Sequence, residues 1–391
     1  MFELEYGDHL IGSIQTVLGP VLNNDLGITL MHEHVLIDQQ AKERRSFRVR
    51  EKQGQIFSKG IPATYLHGWD NTTLKLDNLS DSRSNRYAIA DNYYLNDLNL
   101  AQSELKHYFS RGGESIVDLT VRGIGRDPLG LCQISRLTGI NIIMGTGWYV
   151  PDFYPKDMDS RSVDSLVKEL IKEICIGVDS TFVRAGIIGE IGIKDGPLTT
   201  NEIKIIQAVS QASIATGVSI SFHYGGTGRE RFKLLEIIRN EGCPQDRIIF
   251  GHSDLIAGDI DLILELLSYG VYVQFDLLGR VAAHLMIEAL DSSNPWLSYL
   301  DSSSTALVSK VLPTLISYGY ADQILLSQDV CTKIQLKNFG GTGYSFILES
   351  FIPHLLEIGI TQDDINIILM ENPRDVLQIK EINLDLLSKF V

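Results

Sequence analysis

The segment Thr29–Asp38, TLMHEHVLID, decides how this chain is read. Leu30, Met31, Val35, Leu36 and Ile37 mark a buried strand, yet His32 and His34 stand in its middle on either side of Glu33. Strand side chains alternate between faces, so the two histidines share one face, about 6–7 Å apart at Cα, and Glu33 faces the other way. Two imidazoles so spaced can grip one metal ion. Taken alone, the pair reads first as a chance pair or as two hydrogen-bonded core histidines.

Seven further runs rich in Ile and Val follow, at 115–121, 141–147, 185–193, 218–222, 247–251, 271–276 and 323–327, separated by amphipathic segments. Near-continuous apolar strands alternating with helices indicate a parallel sheet covered on both faces. The helices carry their own punctuation. Thr199 and Glu202 fit a capping box, Ile203, Ile206, Val209 and Ala212 follow at helical spacing, and Gly217 suits the stop. Residues 259–269 are expected to end at Gly270, residues 361–370 to stop ahead of Asn372-Pro373, and residues 91–108 to be helical. Eight βα units predict an α/β fold, a (β/α)8 TIM barrel. An open doubly wound sheet is the alternative, but no G-x-G-x-x-G follows the first strand.

The barrel is expected to span residues 1–391 as a single domain. Residues 1–25 are expected to include a hairpin closing its floor. Residues 39–90 form an irregular polar insertion after the first strand, a long loop or lid. Its basic stretch KERRSFRVREK, residues 42–52, reads as a solvated or an anion-collecting face. With 391 residues, 44% of them hydrophobic, the chain has ample material for a core. A net charge of −15 argues against a broad basic surface for nucleic acid or anionic lipid. No apolar run approaches the roughly 20 residues of a membrane span. The N-terminus lacks the pattern of a secretory signal. Four scattered cysteines, Cys132, Cys175, Cys243 and Cys331, form no C-x-x-C, so a cytoplasmic location is expected.

The other strands also end on polar residues. The fourth carries Glu190 inside an apolar run, where a charge is costly unless paired or metal-bound. The fifth ends on His223, the sixth on His252 and the eighth on Asp329. In a parallel barrel these ends meet at the C-terminal mouth. Each has a plain alternative: a core histidine, a helix cap at Asp329, a Glu190–Arg184 pair. Six coincidences at matched strand ends are less plausible than one metal centre. Imidazole and carboxylate suit zinc, and also Mn, Co, Ni or Fe. Six ligands exceed one tetrahedral ion and fit two divalent ions bridged by a carboxylate and a hydroxide. Asp329 would bind one ion, take the hydroxide's proton and deliver it to the leaving group.

With these residues in place, the chain resembles the phosphotriesterase-like branch of the amidohydrolase superfamily. The resemblance rests on GITLMHEH (27–34), GGESIVDLTVRGIGRD (112–127), GINIIMGTGWYVP (139–151), RAGIIGEIG (184–192), SFHYGG (221–226), GHSD (251–254), YVQFDLLGR (272–280), LLSQD (325–329) and MENP (370–373), in order along nearly the whole chain. It implies a binuclear metal centre, with His32, His34 and Asp329 on the more buried ion and His223 and His252 on the more exposed one. Many relatives bridge their ions with a carboxylated lysine. Gly189-Glu190 stands there in this chain, so it resembles the subgroup bridged by glutamate, Lys194 lying beyond the expected strand end. The resemblance implies hydrolysis of lactones, carboxylic esters or phosphotriesters, and often a homodimer. A lactonase acting on a small, possibly phosphorylated, lactone is the leading expectation. Promiscuous ester or phosphotriester hydrolysis, amide hydrolysis and a non-catalytic metal-binding barrel are the alternatives. Tyr149, Arg280, Lys333 and Lys337 follow strands three, seven and eight and are expected to contact the substrate, the cations receiving an anionic group. The Cys331 thiol, two residues past Asp329, is expected to be incidental.

Overall fold

The chain enters as an antiparallel hairpin, β1 (Ser13–Thr16) and β2 (Gly19–Leu22). The computed structural model describes residues 6–40, 72–84, 88–194, 196–226, 228–280 and 303–390. All eight apolar runs become strands: β3 (Thr29–Glu33), β6 (Ser115–Asp118), β7 (Asn141–Thr146), β8 (Ile187–Ile193), β9 (Ile220–Tyr224), β10 (Ile248–Phe250), β11 (Tyr272–Phe275) and β12 (Ile324–Leu326). They form one eight-stranded sheet in chain order, every neighbour parallel. Two further two-residue strands, β4 (Ile37–Asp38) and β5 (Tyr94–Leu95), pair with each other outside it.

Helices cover the sheet between its strands: α1 (Leu98–Ser110), α2 (Pro128–Thr138), α3 (Val163–Cys175), α4 (Thr200–Thr216), α5 (Arg231–Asn240), α6 (Ile260–Leu267) and α7 (Ser303–Ser317). This is the α/β barrel expected from the alternation. The capping box at Thr199 and Glu202 forms, and Gly217 ends α4 in the left-handed region at φ 76°.

The two outer strands of the sheet, β3 and β12, are joined by side chains more than by a ladder. Ser327 Oγ accepts from His32 N at 2.8 Å, and Asp329 N donates to His32 O at 3.1 Å. Glu33, fully buried, accepts from Gln328 N and Val330 N, both at 2.8 Å. The outward-facing carboxylate of the H-x-H stretch thus closes the barrel seam.

Inside the barrel the floor is apolar. Met31, Val117, Ile143, Ile187, Ile249 and Leu325 pack together with Ile14 of the hairpin. Two residues further along several strands the same face turns polar, as the pleat dictates: Tyr272 gives way to Gln274, and Leu325 to Ser327. A greasy plug at the bottom therefore carries a polar layer at the mouth.

Two helix boundaries differ from expectation. Residues 90–93 form a short tight turn, and α1 starts only after Asp97, whose carboxylate accepts from Asn99 N and Leu100 N. The chain stays helical past Asn372-Pro373, through a π-helical turn at Ile367–Glu371 and on to Leu377. The wider turn accommodates the missing proline N–H, and Asn372 Nδ2 anchors it on Ala321 O and Ile324 O at 2.7 and 2.8 Å. The basic stretch 42–52 and most of the 39–90 insertion lie outside the described residues. Among the described residues no helix is long and apolar enough to cross a membrane.

Candidate metal centre

His32, His34, Glu190, His223, His252 and Asp329 come together at the mouth. His32 Nε2 lies 3.2 Å from Glu190 Oε1, His252 Nε2 lies 3.3 Å from it, and His223 Nδ1 lies 2.6 Å from it. His34 Nε2 lies 3.9 Å from Glu190 Oε2 and 3.3 Å from Asp329 Oδ1. One Glu190 oxygen thus touches histidines of both expected ion sites, and the other faces His34.

Local backbone irregularity makes this convergence possible. β3 and β8 each carry an extra residue relative to their partners, β3 between Leu30 and Glu33 and β8 between Ile188 and Ile191. Such bulges re-aim side chains, here His32 and Glu190. Gly189 sits at φ 148°, and a Cβ there would stand 2.7 Å from Ser221 O, so only glycine allows the approach. His252 and Asp329 adopt the left-handed region at φ 53° and 46°. That conformation is costly for non-glycine residues, and a surrounding network must hold them in it.

Asp276 is central to that network. Its carboxylate accepts from His252 N at 3.1 and 3.2 Å, lies 2.6 Å from His252 Nδ1 through Oδ1, and lies 3.0 Å from His32 Nδ1 through Oδ2. Asp254 Oδ2 in turn accepts from Asp276 N at 2.8 Å. His34 Nδ1 lies 2.9 Å from Thr120 Oγ1. Three imidazoles are therefore pinned at Nδ1 and present Nε2 to the cluster. His223 is reversed: Nδ1 faces Glu190, and Nε2 is 3.5 Å from the Tyr149 hydroxyl. Nδ1-side partners of this kind fix both ring orientation and tautomer in metal sites.

The electrostatics suit a cation. Burial alone would raise the Glu190 and Asp276 carboxyls, but the facing histidines outweigh it and hold both well below the usual carboxylate range. Burial likewise opposes ionisation of Asp329, and Arg280 above all brings it down to about 2. Burial disfavours charge on His252, yet the Asp276 and Glu190 carboxylates push it up to about 9. His32 Nε2 and Glu190 Oε2 are buried without a hydrogen-bond partner. Unpaired atoms of this type are costly, and a shared divalent cation would satisfy both. The donor set fits metal: His32, His34 and Glu190 form one group, and Glu190, His223 and His252 another, with ligand atoms within 4.8 Å of one another in each. His32, His252 and Asp276 are equally close, but Asp276 uses the opposite edges of both rings and orients them.

The expected substrate contacts divide. Tyr149 stands edge-on to the His223 ring at 4.8 Å. Arg280 reaches the site, with Nη2 on Asp329 Oδ2 and 3.1 Å from Asp329 O. Lys333 Nζ is held by Asp91 at 2.6 Å and Lys337 Nζ by Glu349 at 2.5 Å. Lys194 turns outward to Asp152 at 3.2 Å and offers no bridge. Cys331 Sγ contacts Gln335 Oε1 at 3.6 Å. Asp276 is the residue that reading the strands missed, though VYVQFD (271–276) carries the same signal as Asp329, a carboxylate ending an apolar run. Thr120 has no such signal.

The sequence pattern of the phosphotriesterase family matches residues 12–377. A Dictyostelium discoideum protein named N-acetyltaurine hydrolase is 34% identical over 377 residues, which cover 94% of this chain and 98% of that one. A resiniferatoxin-binding protein from Rhodobacter sphaeroides superposes with a TM-score of 0.80 at 30% identity, over 94% of this chain and 95% of its own. The phosphotriesterase homology protein of Escherichia coli, solved with phosphate in its active site, gives a TM-score of 0.70 at 28% identity, over 90% of this chain and 99% of its own. The chain belongs to the phosphotriesterase family.

Proposed function

We propose that this member of the phosphotriesterase family is a hydrolase that uses two divalent ions, most simply zinc, to cleave the amide bond of a small N-acylated, anionic amine. The observation that carries the metal reading is Glu190 Oε1 set between His32 on one side and His223 and His252 on the other. The substrate class comes from the related N-acetyltaurine hydrolase, whose length this chain nearly matches. Four free cysteines are in keeping with a reducing, cytoplasmic setting.

Bound metal would supply an acidified water and polarise the substrate carbonyl. His32, His34 and Asp329 would hold one ion, His223 and His252 the other, and Glu190 both. The protein does the rest. Asp276 keeps His32 and His252 facing inward, and Thr120 does so for His34. Asp329, buried and ionised, would take the proton of the attacking water and return it to the departing nitrogen, so that acid and free amine leave. Arg280, a fifth exposed at its side chain, is placed beside Asp329 to meet the anionic end of the substrate. Tyr149 closes the pocket over His223.

A panel of N-acetyltaurine, N-acetyl-β-alanine, small lactones, a carboxylic ester and a phosphotriester, assayed with metal-reconstituted enzyme, tests the reading. The amides are expected to give the highest kcat/KM. Small lactones, the class expected from the sequence, act through the same donors; preference for them with inert amides would replace the amide reading. Arg280→Ala is expected to raise KM for anionic amides well above its effect on neutral esters, which feel only the loss of the Asp329 partner.

A further inference from the structure

Beside the metal cluster lies a cavity of about 410 Å³, between the end of β7 and α3, whose wall includes Tyr149. That volume falls within the roughly 300–1,000 Å³ of small-molecule sites. Trp148, Tyr149 and Leu170 are buried and give it an apolar side; Arg122, Asp157, Arg161, Glu169 and Glu173 give it a charged one.

The charged side is not uniformly tight. Arg126, its side chain fully buried, is locked on Glu173 at 2.8 Å and on Asp179 at 2.9 Å. Arg122 commits Nε to Asp179 at 2.7 Å and Nη2 to Glu173 at 2.8 Å, and reaches Glu169 Oε1 only at 3.4 Å through Nη1. Arg161 Nη2 takes the other Glu169 oxygen, with its guanidinium 5.5 Å above the Trp148 ring. Two guanidiniums from different loops thus converge on one carboxylate. Glu169 projects from α3 with 27% of its side chain in water, so a rotamer change frees it. The Arg161–Glu169 pair is part-buried, its side chains 15% and 27% exposed, and a competing anion can take the place of the carboxylate, paired guanidiniums being a favoured receptor for carboxylate and sulfonate.

We propose that this cavity is a second binding site, for a small organic anion with a carboxylate or sulfonate head and an apolar body, and that Glu169 occupies the head-group position when no ligand is bound. The head would sit between Arg122 and Arg161 and the body against Trp148 and Tyr149. The site does not depend on the metal ligands.

Calorimetric titration with benzoate and benzenesulfonate tests this, on metal-loaded and on chelated protein. Saturable binding is expected in both states. Glu169→Gln, which removes the internal competitor but keeps its shape, is expected to tighten it several-fold, and Arg161→Ala to weaken it about tenfold, the effect of losing one charge-assisted contact. Circular dichroism confirms that both variants fold. No saturable binding to Glu169→Gln, binding lost on chelation, or binding indifferent to Arg161→Ala would each overturn the proposal.

Discussion

Asp276 and Glu190 divide the labour at the mouth: one carboxylate aims the imidazoles, the other stands among their inward-facing nitrogens. Because Asp276 contacts Nδ1 of both His32 and His252, Asp276→Asn should leave the fold intact but lower metal affinity about 10–100-fold, the usual effect of losing an outer partner. Competition with a chromophoric chelator measures it. The same carboxylates raise His252 to about 9 in the metal-free protein, so at neutral pH the ring carries a proton that a metal must displace. Metal binds the deprotonated ring, so affinity should climb as pH rises from about 6.5 to 9, with proton release on binding. Equal affinity at both ends of that range would contradict the assignment. The members of the cluster are legible in the sequence because a carboxylate or imidazole at the end of an apolar run is costly to bury unless something binds it. Asp276 bears the same mark at the end of β11, whereas Thr120 is one hydroxyl among many. The pairings of Lys333 with Asp91 and of Lys337 with Glu349 are contacts that sequence spacing does not reveal.

At the level of elements, the β1–β2 hairpin is a structural plug. Ile14 is fully buried among Met31, Val117, Ile143 and Ile187. Ile14→Ala should cost about 2–5 kcal/mol, the range for emptying a tight aliphatic site, read as a lower urea midpoint with the metal content of the folded protein unchanged. All eight strands are legible because each is a mostly apolar run rich in Ile and Val. The start of α1 and the π-helical turn before Asn372 are not: the first depends on the β4–β5 pairing that holds residues 94–95 extended, and the second on backbone geometry around Pro373. The bulges in β3 and β8 are also invisible to alternation, though they decide where His32 and Glu190 point.

For the molecule as a whole, the barrel seam and the metal centre are one construction. His32, Glu33 and His34 are consecutive; the histidines face the mouth, and Glu33 takes Gln328 and Val330 amides across the seam, setting Asp329 between them. Chain closure thus positions a candidate ligand after the last strand against candidate ligands of the first. The direct test of the whole account is elemental analysis of dialysed, metal-reconstituted protein beside Glu190→Ala, with hydrolysis followed before and after a chelator. The account predicts about two divalent ions per wild-type chain, their loss from the variant, and activity that chelation abolishes and metal restores. Active protein without bound ions, indifferent to chelators, would contradict it.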